Sequence, residues 1–330
     1  MNDFFWTTLS CIKGVGSKTL IQLYGNNPHL NFDNLDELLE LMKQKSVSQL
    51  LSMENMKLAK EKAEHLIKVH EEKGIKVIPI SSEWYPTYLR LIADPPTLLY
   101  AKGNIDLLKE KHTLAIVGTR EPTEMGIKAA RKIAATFAGM GYTIVSGLAL
   151  GIDTAGHEGA LMIENGKTIT VLAGSLTEIY PAKNKELAME ILERDGLWLS
   201  ETPIGQANTR GNFVKRDRIQ SGLSLGVCPV QTPLKSGTQH TIEFTRKQNR
   251  FLFTPIPLKQ DEHENAIQGN MELIKNGVTV LKNKESYQSI HETLLDYELR
   301  LNTEHKERFE KKIDLKRDSD ETIEQLNLFD

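Results

Sequence analysis

Cysteine is scarce in this chain of 330 residues, which carries only two. Cys11 and Cys228 lie in different regions, and neither belongs to a Cys-x-x-Cys pair. That spacing favours a reduced, cytoplasmic protein without a disulfide framework, and it offers no zinc site. We therefore expect no bound metal.

Long apolar runs are missing as well. No run approaches the roughly 18 residues that a membrane-spanning helix requires, and the first residues, Met1–Trp6, lack the basic region of a signal peptide. We expect no membrane contact. The net charge of -3 argues against a uniformly basic surface but leaves room for a local basic patch.

Signatures of catalysis are equally scarce. The chain has no His-Glu-x-x-His pattern, no Walker phosphate loop and no pair of carboxylates with a defined partner, and its nine histidines are scattered. We expect neither enzymatic activity nor a bound cofactor.

The first 72 residues are predicted to form a small helical domain, because leucines recur every three or four residues and strand patterns are rare. Within it, Ile12–Thr19 places Gly14 and Gly16 in a turn between two helices. This arrangement is similar to SAM and helix-hairpin-helix domains, in which turn amides face a DNA phosphate. A plain connector in a helical bundle explains the same pattern.

Residues 73–285 alternate short strand-like and helical stretches. Strands are expected at 75–80, 114–117, 143–145, 168–172, 197–199, 226–230, 251–253 and 278–281. Helices are expected at 127–139, 153–164, 184–194, 212–222 and 238–249. Crossovers of this length predict an α/β fold with an extended, Rossmann-like, doubly wound and mostly parallel sheet, whose strand carboxyl ends form a binding crevice.

The last part of the chain, 286–330, is predicted to be a helix followed by a charged tail. Residues 303–324 mix charges of both signs and hold few large apolar side chains, which is typical of a solvated helix or a tether. Gln325, Leu326, Leu328 and Phe329 then form a short apolar anchor, as in peptides that dock into a preformed groove.

Glycine-rich turns follow several of the predicted strands. After the first, Gly118-Thr119-Arg120, a helix beginning near Thr123 is expected to present free amides beside the Arg120 guanidinium, and together these favour a phosphate ligand. A surface ion pair of Arg120 is the alternative. The spacing to Gly126 does not fit the dinucleotide-binding fingerprint.

The second turn, Ser146-Gly147, leads to Asp153, which we interpret as the N-cap of the next helix. Gly147 would let a ligand approach the backbone closely. Further along, Lys183 and Asn184 lie at the start of another helix, where ligand binding and a solvated loop fit the pattern equally well.

The segment Arg210–Arg218 is strongly basic and holds one carboxylate, Asp217, and one aromatic ring, Phe213. Its four cations are Arg210, Lys215, Arg216 and Arg218. Cations for phosphates and a ring for base stacking suit single-stranded nucleic acid, although a solvated basic helix with Phe213 in the core also fits. A second group of cations follows at Lys235, Arg246, Lys247 and Arg250.

Several of these motifs occur together, in order, in one known family. They are Trp84-Tyr-Pro86, Asp94-Pro-Pro-Thr-Leu-Leu-Tyr100, Ala115-Ile-Val-Gly-Thr-Arg120, Ser146-Gly-Leu-Ala-Leu-Gly-Ile-Asp153, Tyr180-Pro-x-x-Asn184, Gly211-Asn-Phe-x-x-Arg-x-Arg-Ile219, Ser221-Gly-Leu-Ser224, Lys235-Ser-Gly237 and Asn270-x-x-Leu-Ile-x-x-Gly277. As a set they resemble the DNA-processing protein A (DprA/Smf) family. The resemblance implies a homodimer that binds single-stranded DNA and helps to load a RecA-type recombinase in DNA uptake, recombination or repair.

Transferred residue by residue, the resemblance assigns DNA binding to two groups of positions. The turns and the segment after Tyr180 contribute Gly118, Thr119, Arg120, Ser146, Gly147, Lys183 and Asn184. The basic segment and a later loop contribute Gly211, Asn212, Phe213, Lys215, Arg216, Arg218 and Lys235. The chain departs from the family at Asp217, where Asn is usual, and at Thr238–Ile242, and the winged-helix-like domain of many members is not evident.

The end of the chain adds a further expectation. Gln325, Leu326, Leu328 and Phe329 resemble the Gln-Leu-x-Leu-Phe peptide with which bacterial DNA-handling proteins bind the replicative sliding clamp. Two other functions stay open. One is a nucleotide-binding or nucleotide-hydrolysing Rossmann-type enzyme, although the Pro-Gly-Gly-x-Gly-Thr-x-x-Glu signature of such hydrolases is absent. The other is a defence-related adaptor that senses a nucleotide.

Overall fold

A computed structural model describes residues 2–43 and 52–310 of the chain. The N-terminal part is helical, with α1 (Asn2–Ser10), α2 (Ser17–Asn26), α3 (Leu35–Lys43) and α4 (Met53–Glu71). Phe5 and Trp6 of α1 are buried, and they belong to the same hydrophobic cluster as the side chains of the sheet. The expected helices are therefore present, while the boundaries after residues 72 and 285 stay predictions.

Within the described residues, nine strands form one sheet in the order β1-β2-β6-β5-β4-β3-β7-β8-β9. They are β1 (Lys76–Pro79), β2 (Leu98–Gly103), β3 (Thr113–Val117), β4 (Thr143–Ser146), β5 (Thr168–Val171), β6 (Leu197–Ser200), β7 (Gly226–Pro229), β8 (Phe251–Pro255) and β9 (Thr279–Leu281). β2 pairs antiparallel with β1 and β6, and the other pairs are parallel. The predicted α/β fold with a mostly parallel sheet is confirmed.

Helices connect the strands. They are α5 (Thr87–Arg90), α6 (Glu124–Gly139), α7 (Ile152–Leu161), α8 (Lys185–Glu193), α9 (Arg210–Leu223), α10 (Thr238–Lys247), α11 (Gln268–Lys275) and α12 (Lys284–His305). α6 and α7 pack closely at Gly159, where a Cβ atom would overlap the backbone of Arg131. The absence of a side chain at Gly159 therefore allows this contact. Beyond α12 a short π-helical turn places Phe309 against Tyr24 of α2, with ring centroids 6.0 Å apart.

The strand order reverses at β3, which lies between β4 and β7. The chain builds outward from β3 through β4, β5 and β6, and it then returns to β7 on the opposite side. In such sheets the connections at the carboxyl ends diverge at this point and leave a crevice. Across residues 2–43 and 52–310, no helix is long and apolar enough to cross a membrane, and no side-chain cluster suits a metal ion.

Candidate nucleic-acid interface

A cavity of about 480 Å³ opens at the carboxyl ends of β3, β4 and β7. Three connections line it: Gly118–Glu121 after β3, the segment from Ala149 to Asp153 after β4, and Pro233–Thr238 after β7. The third connection ends at the first residue of α10, so the amino end of that helix faces the cavity. Helix amino ends carry a partial positive charge, which makes this position favourable for an anion.

An aromatic ring and a cation form one wall of the cavity. Phe213 in the first turn of α9 is half-buried, and its ring packs edge-on against Tyr180 with centroids 5.7 Å apart. The Arg120 guanidinium lies 5.8 Å from the centre of the Phe213 ring. Arg120 is exposed and takes part in no ion pair among the described residues, so its charge is available to a ligand.

One helical turn further along α9, Arg216 lies beneath the cavity with 7% of its surface exposed. Its Nη1 donates to the Val171 carbonyl at 3.2 Å and lies 3.8 Å from Asp153 Oδ2. Its Nε lies 3.2 Å from Asp217 Oδ1 but is poorly aligned for a hydrogen bond, and it makes none within the described chain. Two carboxylates therefore balance the charge of Arg216, while one of its N–H groups lacks a hydrogen-bond acceptor.

Burial sets the protonation of this cluster. It raises the pKa of Asp217 to about 6, even though Arg216 favours the ionised carboxylate. Burial likewise raises the pKa of Asp153. The cavity thus contains an acidic group that titrates close to neutral pH.

One expectation about the glycine-rich turns is wrong. Asp153 is not an N-cap, because α7 begins at Ile152 after Gly151, whose φ of 83° provides the turn. The Asp153 carboxylate instead accepts hydrogen bonds from the amides of Gly147 and Ala149 at 3.1 and 3.4 Å. A Cβ atom at Gly147 would overlap the Arg216 guanidinium, but Gly147 also lines a small cavity with Arg120 and Phe213, so the approach of a ligand there stays a prediction.

Two of the amides at the start of α6 that were expected to face a ligand, those of Thr123 and Gly126, are already bonded. The Thr123 amide donates to Gln231 Oε1 at 2.9 Å, and the Thr123 hydroxyl caps the helix by accepting from the Gly126 amide at 3.1 Å. Gln231, 108 residues away in the chain, therefore takes the position where a phosphate was expected. Positive charge at the crevice is instead supplied by Arg120, Lys235 and the start of α10.

The predicted DNA-binding cations of α9 lie on two faces of the helix. Lys215 and Arg218 line a different cavity, of about 740 Å³, which reaches Lys18 of α2. Arg218 is 8% exposed, and its guanidinium pairs with Glu201 at 2.7 Å and with Asp94 at 3.0 Å. The structure therefore does not bring Lys215 and Arg218 together with Phe213. Gly211 lies exposed at the start of α9, and Asn212 lines the same second cavity.

Some of the other predicted residues shape the turns. Ser146 is buried and donates its hydroxyl hydrogen to the Ile116 carbonyl. Asn184 is buried too, and its amide donates to the Leu148 carbonyl at 2.7 Å. The Thr119 amide donates to the Gln231 carbonyl, which fixes the turn that presents Arg120.

Three predicted cations outside α9 are likewise either exposed near the first cavity or buried and bonded within the protein. Lys183 is exposed close to Tyr180. Lys235 is exposed on the rim of the first cavity. Arg250, one of the second group of cations, is instead 5% exposed and donates to the Tyr88 carbonyl at 2.8 Å.

Sequence reasoning missed two residues that line the first cavity, Asp217 and Gln220. They share one face of α9 with the predicted Phe213 and Arg216, so helical periodicity could have identified them. A further pattern, Gly222-Leu-Ser-Leu-Gly226, fits the Gly-x-Ser-x-Gly elbow of hydrolases, but Ser224 is fully buried and donates to the Gln220 carbonyl at 2.9 Å. It lies between a helix and a strand rather than between a strand and a helix, so it is not a nucleophile.

Known proteins share this sequence and fold. Protein Smf of Synechocystis is 39% identical over 215 residues, which are 64% of this chain and 53% of the relative. DNA processing protein DprA of Bacillus subtilis is 40% identical over 192 residues, 58% of this chain and 64% of the relative. The chain thus spans between half and two thirds of the length of these relatives.

Two crystallographic relatives have the same architecture. The structure of DNA processing protein A from Streptococcus pneumoniae aligns with a TM-score of 0.62 at 29% identity, covering 83% of this chain and 97% of that one. DNA processing protein A from Helicobacter pylori, studied for its single-stranded DNA binding mode, aligns with a TM-score of 0.58 at 31% identity, covering 68% of this chain and 97% of that one.

The family model of DNA recombination-mediator protein A matches residues 76–292. This range contains all nine strands of the sheet and the whole of α9, which lines the first and the second cavity. This match agrees with the motifs in Gly118–Arg120 and Gly211–Arg218. It also agrees with the reversal of strand order at β3 and with the similarity to the relatives above. The chain belongs to the DNA recombination-mediator protein A family.

Proposed function

We propose that the protein binds single-stranded DNA in the crevice at the carboxyl ends of β3, β4 and β7. The observation that carries this proposal is the wall formed by Arg120 and Phe213, whose guanidinium and ring lie 5.8 Å apart. A base can stack on the exposed part of the ring while the flanking phosphates meet Arg120, Lys235 and the start of α10. The Helicobacter pylori relative, which binds single-stranded DNA, supports this assignment.

Titration of labelled oligothymidine at several salt concentrations tests the crevice. Arg120→Ala and Lys235→Ala should each weaken binding and reduce the slope of log affinity against log salt by about 0.7, the value for one lost phosphate contact on a single strand. Phe213→Ala should weaken binding by ~1–3 kcal/mol without changing that slope, because stacking releases no counterion.

Lys111→Ala is the matched control, since Lys111 is exposed before β3, at the opposite end of the strand from Gly118. Lys215→Ala reports on the other face of α9. If Arg120→Ala, Phe213→Ala and Lys235→Ala all bind like the parent, the crevice is not the DNA site. A loss confined to Lys215→Ala would move the site to the second cavity.

Nucleotide hydrolysis is a second candidate function, because a carboxylate with a pKa of about 6 in a ligand-sized cavity is suited to proton transfer. Incubation of the pure protein with nucleoside monophosphates tests it. Release of free base or phosphate that disappears in Asp217→Asn would establish the hydrolase, and the absence of release would remove it.

We also infer three partners. The family relationship favours a RecA-type recombinase and a second copy of the chain, and the peptide Gln325–Phe329 favours the replicative sliding clamp. Recombinase loading predicts faster strand exchange on DNA covered by a single-strand-binding protein, and Arg120→Ala should abolish that gain. Sedimentation at several concentrations tests the homodimer. Residues 325–330 lie outside the described residues. Capture of the sliding clamp by the parent is compared with capture by a variant that combines Leu326→Ala, Leu328→Ala and Phe329→Ala. Equal capture by both refutes the clamp contact.

A further inference from the structure

A further cavity, an open groove distinct from those described above, lies between α6, the end of β8 and the start of α12. Its volume is about 540 Å³, and its lining includes the apolar side chains of Ile133, Val230, Ile267 and Leu281. Ile256 and Leu258, which follow β8, also line it and are 48% and 42% exposed. Large apolar side chains exposed together beside a groove are typical of a docking surface for a peptide.

Four lysines surround this groove. Lys128 and Lys132 project from α6, and Lys282 and Lys284 lie at the start of α12; all four are exposed. None of them takes part in an ion pair among residues 2–43 and 52–310. The one acidic side chain in the lining, Asp261, is 8% exposed and accepts a hydrogen bond from Thr123. The groove therefore selects an occupant that is apolar and acidic at once.

A segment of the same chain has this composition. Residues 318–330 contain five carboxylates, Asp318, Asp320, Glu321, Glu324 and Asp330, and no lysine or arginine. Four large apolar residues alternate with them, namely Ile323, Leu326, Leu328 and Phe329. The preceding residues 303–317, in contrast, mix both signs of charge. We propose that the apolar end of this segment, residues 326–330, docks in cis into the groove between α6, β8 and α12, with the preceding carboxylates leading towards its lysine rim.

The connecting chain is long enough for this return. α12 begins at the groove and has 22 residues, so its far end lies about 33 Å away at 1.5 Å per residue. Residues 311–325 form a connection that spans up to ~50 Å when extended, at about 3.3 Å per residue. Leu326, Leu328 and Phe329 can therefore reach the groove from Glu310 with chain to spare.

The chemistry disfavours DNA as the occupant. Phosphates would meet the lysines, but the apolar floor formed by Ile133, Val230 and Leu281 offers no donors to a backbone and no aromatic ring to a base apart from Tyr287 at one edge. An acidic, apolar peptide uses both the floor and the rim. Docking of this kind would also occupy the apolar residues on which the proposed clamp contact depends, so the two contacts would exclude each other.

Zero-length crosslinking with a carbodiimide tests the proposal on the full chain, because it joins a lysine to a carboxylate only where they form an ion pair. Mass spectrometry should find crosslinks from Lys128, Lys132, Lys282 or Lys284 to carboxylates of 318–330. Their yield should not change when the protein is diluted about tenfold, since an intramolecular contact has a fixed effective concentration.

Two variants complete the test. Combined Leu326→Ala, Leu328→Ala and Phe329→Ala should reduce these crosslinks about tenfold or more and increase hydrogen exchange at 256–258, since the groove loses its cover. Leu299→Ala is the control, because Leu299 is a 70% exposed leucine of α12 outside the groove. Docking in cis is overturned if no crosslinks form or if they survive the triple substitution. It is also overturned if the crosslink yield falls with dilution, as it would for docking between two copies of the chain.

Discussion

Replacing Asp217 by Asn should stabilise the protein, and more so at alkaline than at acidic pH. Burial raises the pKa of Asp217 from 3.8 to about 6 in the folded state. The unfolded chain therefore ionises this carboxyl more easily than the folded protein does. The cost of ionisation therefore grows as the pH rises from about 3.8 to 6, stays constant above pH 6, and vanishes only well below pH 3.8.

The magnitude follows from the two pKa values. At 1.36 kcal/mol per pH unit, the ionised Asp217 costs about 3 kcal/mol at pH 8, roughly half of that at pH 5 and less than about 1 kcal/mol at pH 4. Asn resembles the protonated carboxyl in shape and carries no charge, and Arg216 keeps Asp153 as a partner at 3.8 Å. The gain from Asp217→Asn should follow the same three values.

Urea unfolding of parent and Asp217→Asn at these pH values measures the gain from the shift of the midpoint at constant slope. Glu121→Gln is the matched control for loss of a carboxylate, because Glu121 borders the same cavity but is exposed. If Asp217→Asn is less stable than the parent at pH 8, or if its gain is equal at pH 5 and pH 8, burial does not govern this carboxyl.

Further predictions concern the other face of α9 and the turns. Arg218→Met should lower the unfolding free energy by about 3 kcal/mol, because Glu201 loses its partner at 2.7 Å in a largely buried site; chemical denaturation measures this, and an unchanged midpoint would contradict it. Gly147→Ala should destabilise by ~3 kcal/mol or more, since its Cβ atom displaces Arg216. Gly139→Ala, at a helical glycine with no neighbour within 4 Å, should instead stabilise by about 0.5–1 kcal/mol, and thermal unfolding should rank the two in that order.

Local patterns of the sequence indicated the order and type of most elements. Apolar runs such as Leu114–Val117, followed by glycine and a helical stretch, predict a strand and its crossover helix, and right-handed crossovers then require a mostly parallel sheet. Thr123 three residues before Gly126 is likewise a readable helix start. The DNA-binding assignment also came from sequence, because residue types in Gly211–Arg218 suit a phosphate backbone and a base.

Which of those residues share a surface depended on tertiary contacts. The composition of Arg210–Arg218 makes its cations look alike, yet Arg216 is enclosed by Asp153 and Asp217 while Arg218 pairs with Asp94 from a segment 124 residues away. Charge balance between distant segments leaves no local pattern in the chain, because it arises only when packing brings the partners together.

The sequence by itself thus determined the sheet, its crevice and the kind of ligand that the crevice suits, since periodicity and turn chemistry act over a few residues. Only the tertiary structure decided that Arg120 and Lys235 face the crevice with their charges available, and that Gln231 occupies the start of α6. It also created the apolar groove beside α12, whose walls come from segments between Met125 and Tyr287. Burial and pairing of this kind depend on the whole fold.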